Sequence, residues 1–178
     1  MTYEEVINKY YPEDDALRRL LLQHSRQVAD RCLTIAARHP ELNVDTTFLE
    51  EAAMLHDIGI RWCHAPSIYC FGEEHYLRHG LIGGQLLRKE GLPRHARVCE
   101  RHTGTGITQQ QIEEQNLPLP PGDYVPETLE EQLVCYADLF HSKSYPDRIL
   151  SPEQVAQSLE RYGHDGVERF WQWQQLFG

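Results

Sequence analysis

Leu17, Leu21, His24, Val28, Cys32 and Ile35 recur at intervals of three and four, which predicts one apolar face of a long helix. Pro12, Glu13 and Asp14 open it, with proline at a tolerated early position and acids at the positive end of the dipole. His39-Pro40 ends it, and a short amphipathic helix precedes it. Leu49, Ala52 and Ala53 carry the next helix to Leu55, with Asp45 or Thr46 as its cap and Gly59 fitting its C-terminal end. Residues 61–78 show no clean period and read as a loop. HGLIGGQLLRKEG predicts a helix closed by Gly91, and Pro93 starts another through RHARVCERH that TGTG breaks. Thr108 caps a short polar helix, and PLPPGDYVP is a proline-rich excursion. A further helix is expected from Pro126 to Ser142. Ser151 to Gln154 has the S-x-x-Q character of a helix start, and a last helix carries Phe170, Trp171 and Trp173. Strand signals are nearly absent, so the expected fold is all-α.

Length adds that the 178 residues fit one domain with a real core. That domain is expected over 1–178, with its core at about 20–145 and C-terminal helices over 152–177 packed on it. A net charge of −10 argues against a general nucleic-acid or anionic-membrane surface, since both are bound mainly by Lys and Arg. No run approaches the roughly 18 apolar residues of a membrane span. The start, MTYEEVINKY, lacks the basic and apolar pattern of a signal peptide. The five cysteines (32, 63, 70, 99 and 135) form no C-x-x-C pair and read as reduced, mostly buried thiols of a cytoplasmic protein.

Ten histidines change the picture. His24 lies on the apolar face of the long helix, and His56 and Asp57 end the helix of Leu49 to Leu55. His79 begins the inward face continued by Ile82 and Leu86, His102 follows Val98 by four, and Asp138 follows Val134 by four. A buried carboxylate such as Asp57 costs several kcal/mol, roughly, unless its charge is compensated. Four histidines and two aspartates on inward faces would be costly as separate burials. Coordination of a metal satisfies them together, because imidazole nitrogen and carboxylate oxygen both suit first-row divalent ions.

The order His24, His56-Asp57 and Asp138, with HDIG at 56–59, resembles the HD superfamily of metal-dependent phosphohydrolases. His79 in RHGLIGGQLL and His102 in VCERHTGTG resemble its subset with two metals. RHTGTGIT, DYVPETLEE and CYAD echo a group of small HDIG-domain proteins. The resemblance implies an HD-type helical bundle in which His24, His56, Asp57 and Asp138 hold one metal. His79 and His102 would hold a second, with Asp57 bridging both. Iron is the expected ion for so nitrogen-rich a site, with manganese, zinc or nickel as alternatives.

Such a pair can generate a hydroxide nucleophile and neutralise phosphate oxygens during displacement. The resemblance implies a nucleotide or dinucleotide polyphosphate as the substrate. Lys143, Arg61 and Arg101 are the candidate cations for the rest of it, with Lys143 favoured for its position just past Asp138. Ile60 stands where many relatives carry Lys or Arg, and no G-Y-P element follows the paired histidines. The same six-residue set also resembles mixed-valent di-iron oxygenases, and a third reading is a non-catalytic sensor of nucleotide or phosphate. His64 and His75 are candidates for the entrance and His141 for support of the ligands. His39, His95 and His164 are expected at the surface or as caps. Phe170, Trp171, Trp173 and Phe177 predict a core or homodimer face.

Overall fold

The face from Leu17 to Ile35 is buried along helix α2 (Ala16–Arg38) in the computed structural model, which describes residues 1–178. The helix starts later than its acidic prelude suggests. Asp15 is its N-cap and accepts a hydrogen bond from Arg18 N at 2.8 Å, leaving Pro12 to Asp14 outside. Before it lies α1 (Tyr3–Tyr10), closed by a reciprocal capping box between Thr2 and Glu5.

Asp45 caps α3 (Thr46–Leu55), its carboxylate accepting from Phe48 N at 3.0 Å. α4 (His79–Lys89) and α5 (Pro93–Arg101) form the most extensively packed helix pair, followed by α2 with α3. Thr108 closes a capping box with Gln111 on α6 (Gln109–Gln115). The helix expected from Pro126 to Ser142 is shorter, α7 (Leu129–Asp138). Thr128 and Glu131 form a capping box there, and the buried Glu131 carboxylate also accepts from Glu127 N, which fixes the chain before the first turn as non-helical. Ser151 and Gln154 cap α8 (Pro152–Leu159) as their spacing predicts, and α9 (His164–Phe177) ends the chain.

Between α3 and α4 the aperiodic stretch is more ordered than a plain loop. It makes three single 3-10 turns and a two-stranded antiparallel sheet, β1 (His64–Ala65) with β2 (Cys70–Phe71), in which Ala65 pairs with Cys70. Strands of two residues leave too little sequence for a period to register.

The fold is all-α apart from that ribbon. Its core joins α1 through Val6 and Ile7 to α9 through Phe170, Trp173 and Phe177. Each fully buried aliphatic side chain contributes roughly 1.5–3 kcal/mol. Tyr136 of α7 lies 5.9 Å from Phe170 and 5.3 Å from Phe177, ring centre to ring centre, which docks α9 on the bundle. Trp171 points outward, 37% exposed. His95, expected at the surface, is buried edge-on against Phe48 and meets Glu51 Oε2 at 2.9 Å. All five cysteines are buried and free. No helix is long and apolar enough to cross a membrane.

Candidate metal centre

His24 projects from the middle of α2, whereas the other five candidates stand at helix ends. His56 caps α3 and Asp57 follows it, His79 is the first residue of α4, His102 caps α5, and Asp138 is the last residue of α7. Adjacent residues within a helix diverge by about 100°, so only at a terminus can His56 and Asp57 turn toward one point.

Two glycines bring those ends together. Gly59 has an ordinary helical φ of −84°, so it is not needed for a left-handed stop. A Cβ on Gly59 would overlap the His79 carbonyl and crowd Gly83 N, and one on Gly80 would overlap the Cys99 carbonyl. Backbone thus meets backbone where α3, α4 and α5 converge. Tyr11 fixes the turn after Asp57: its hydroxyl donates to Ile58 O at 2.8 Å and accepts from Arg61 N at 3.2 Å.

Asp57 is fully buried, and its two oxygens face different partners. Oδ2 lies 3.3 Å from His24 Nε2 and 3.2 Å from His56 Nε2. Oδ1 lies 3.3 Å from both His79 Nε2 and His102 Nε2. Asp138 Oδ1 completes the first group, 2.8 Å from His24 Nε2 and 3.4 Å from His56 Nε2. The ligand atoms of His24, His56, Asp57 and Asp138 lie within 4.8 Å of one another, as do those of Asp57, His79 and His102.

Three histidines share one local device. His56 Nδ1 donates to Ala53 O at 2.6 Å, His79 Nδ1 to Tyr76 O at 2.5 Å, and His102 Nδ1 to Cys99 O at 2.7 Å. A carbonyl only accepts, so each Nδ1 carries the proton and, in the neutral ring, Nε2 offers a lone pair to the centre. Neither Asp57 oxygen accepts a well-oriented hydrogen bond, and His24 Nδ1 also has no partner. Buried polar atoms left this way call for a cation. The donor set therefore fits divalent metal ions, His24, His56, Asp57 and Asp138 around one and Asp57, His79 and His102 around the other.

Electrostatics agree. Burial works against the Asp57 and Asp138 carboxylates, but Lys143 and His56 beside Asp57, and His56 and His24 beside Asp138, hold both well below the usual range. Burial lowers His56 too, yet the two carboxylates outweigh it and raise it. Burial lowers His102. A metal ion would displace the proton that His56 otherwise holds.

Lys143 reaches the centre, its ammonium 2.8 Å from Asp57 Oδ2 and 5.9 Å from the Tyr76 ring. Because α7 stops at Asp138, a turn rather than a helix carries it there. Arg61 and Arg101 do not join it. Arg61 donates to Tyr10 O at 2.7 Å, and Arg101 donates to Val125 O at 2.8 Å and pairs with Glu127 at 3.3 Å. His141 Nε2 accepts from Arg31 at 3.0 Å, and burial with that neighbour lowers its pKa to about 4. His64 and His75 are exposed, and His75 caps the short turn at Tyr76. Tyr76, which no period singled out, stacks on His79 with ring centres 4.5 Å apart.

The HD domain family matches residues 21–143. Two curated relatives named tRNA (cytidine(56)-2'-O)-methyltransferase, from Thermoplasma volcanium and Picrophilus torridus, are each 32% identical to this chain. The matches cover 84% and 90% of the chain but 39% and 45% of those proteins, so the chain spans less than half their length. The uncharacterized protein MJ0778 of Methanocaldococcus jannaschii is 35% identical over 64% of the chain and 66% of its own length. No solved structure matches.

Proposed function

The chain belongs to the HD domain family, and on that footing we propose that it is a metal-dependent phosphohydrolase acting on a phosphoester, in particular a nucleotide or dinucleotide polyphosphate. The observation that carries this reading is the division of four histidines between the two oxygens of Asp57. His24, His56, Asp57 and Asp138 would hold one ion, and His79, His102 and the other Asp57 oxygen a second. When bound, such a pair supplies Lewis acidity toward phosphoryl oxygens and lowers the pKa of a bound water.

The chain's own residues do the rest. Asp138 and Lys143 keep 15% and 14% side-chain exposure, while His24, His56, His79 and His102 are almost completely buried. Substrate therefore approaches past Asp138 and Lys143. The Lys143 ammonium, a compact point charge, pairs with a phosphate oxygen there. The walls behind exclude bulk water and strengthen that pairing.

The methyltransferase name belongs to proteins more than twice as long as their matched parts. Methyl transfer gains no support from a cluster of four imidazoles and two carboxylates, which suits cations.

Anaerobic purification with elemental analysis, followed by a nucleotide and phosphoester panel with and without oxygen, tests the proposal. Expected are about two ions per chain and phosphate release that collapses in His56→Ala, Asp57→Ala and Asp138→Ala. Dioxygen consumption by the iron-loaded protein without phosphate release would overturn it in favour of oxygenation. Nucleotide binding without turnover would favour a sensor.

A further inference from the structure

A cleft of about 320 Å³ opens beside Lys143, bounded by Gln23 of α2, Ser67, Tyr69 and Ser144. Small-molecule sites span roughly 300–1,000 Å³. Lys143, whose ammonium reaches Asp57, ties the cleft to the metal centre, and Gln23 is the residue before His24. Across Tyr69 lies a second hollow of about 410 Å³, bordered by Arg61 and Phe71. Tyr69 lines both.

Its backbone is unusual. Three non-glycine residues have positive φ, and two are asparagines, Asn43 and Asn116, which tolerate the left-handed region through their short polar side chains. Tyr69, at φ 63°, is the third. An aromatic residue is disfavoured there, and the side chain gains little from burial because the residue is 50% exposed. Neither backbone preference nor core packing explains a tyrosine at this position. Strain at a residue lining an entrance is the pattern from which a functional role is inferred.

We propose that Tyr69 is the stacking platform for the base of a nucleotide whose phosphate end lies at Lys143. The inference rests on the phosphoester reading of the metal centre and adds the substrate's non-reacting half. The cleft combines two cations, Lys143 and Arg19, with uncharged hydrogen-bonding side chains (Gln23, Ser67, Ser144) and the exposed Tyr69. Those three kinds of group suit phosphate, sugar and planar base. Stacking accepts any base, so Tyr69 selects for a base without choosing among bases.

The test is calorimetric titration of the metal-loaded protein with AMP, ribose 5-phosphate and inorganic phosphate, on wild type, Tyr69→Gly and Tyr69→Phe. Glycine relieves the backbone, so Tyr69→Gly is expected to keep or raise Tm, which separates lost binding from misfolding. Wild type is expected to prefer AMP over ribose 5-phosphate by about tenfold, within the range for one base on an aromatic ring. Tyr69→Phe keeps that preference, Tyr69→Gly erases it, and inorganic phosphate binds all three alike. No preference in wild type, or its survival in Tyr69→Gly, overturns the proposal. Parallel phosphate-release assays separate the two readings. Release from AMP and ribose 5-phosphate alike, without a base preference, overturns the platform and leaves the phosphohydrolase standing. No release from either or from any member of the nucleotide and phosphoester panel, with the preference lost in Tyr69→Gly, upholds the platform and overturns the phosphohydrolase.

Discussion

His79 and His102 meet Nε2 to Nε2 across 2.9 Å, although each ring already donates its Nδ1 proton to a backbone carbonyl. Two neutral rings so arranged would oppose lone pair to lone pair. The contact is stable only around a positive charge, and Asp57 Oδ1, 3.3 Å from both nitrogens, supplies the balancing negative one.

Metal stoichiometry should follow the split in Asp57. Elemental analysis is expected to give two ions in wild type, about one in His79→Ala or His102→Ala, and less than one in Asp57→Ala. A wild-type protein holding a single ion when His79 and His102 are intact would contradict this division.

Chelation should destabilise the fold, because Lys143 balances only Asp57 Oδ2 and Oδ1 is left buried without a hydrogen bond. At metal concentrations near a hundred times Kd the stabilisation is about 2.7 kcal/mol, or on the order of 5–10 °C in Tm for a chain of this size. Scanning calorimetry with and without chelator measures it, and coincident transitions would count against tight binding by the folded state.

Lys143→Met should retain both ions yet lower kcat/KM about 10–100-fold, the effect of deleting one hydrogen bond to a charged group. Lys143→Arg should recover part of the loss, since it restores charge with a different shape. If Lys143→Met lost its metal instead, Lys143 would be a structural counter-ion of Asp57 and not a substrate contact.

Gly80→Ala forces a Cβ onto the Cys99 carbonyl and pushes α4 from α5. A cost of about 1–3 kcal/mol is expected, with the His79 and His102 site losing occupancy first. Gly91 makes a useful control: at φ 76° with open space around it, alanine should cost about 1 kcal/mol and leave metal content unchanged.

The sequence exposed those parts of the centre that break a pattern. His24 is legible because a polar residue interrupts a three-and-four spacing, and Asp57 because a carboxylate ends an apolar helix. Gly59 misled, since a glycine after a helix suggests a stop, while its use is to admit the His79 carbonyl. Arg61 and Arg101 are adjacent in sequence to the ligand-bearing segments, but their guanidiniums turn away to carbonyls of Tyr10 and Val125. Arg61 and Lys143 lie past helix ends, where side-chain direction is not periodic, and Arg101 is the last residue of α5, so no spacing rule could have separated them. Tyr69 and Tyr76 lie in turns too short to carry a period, and only tertiary structure shows the Tyr76 ring on His79 and the Tyr11 hydroxyl on Ile58 and Arg61.

His56, His79 and His102 each take their orientation from a carbonyl three residues earlier in their own chain. In many metal proteins that duty falls to a side chain from elsewhere, which a single substitution can remove. A peptide carbonyl cannot be mutated away. Residues around the centre are thus free to drift without detuning the imidazoles.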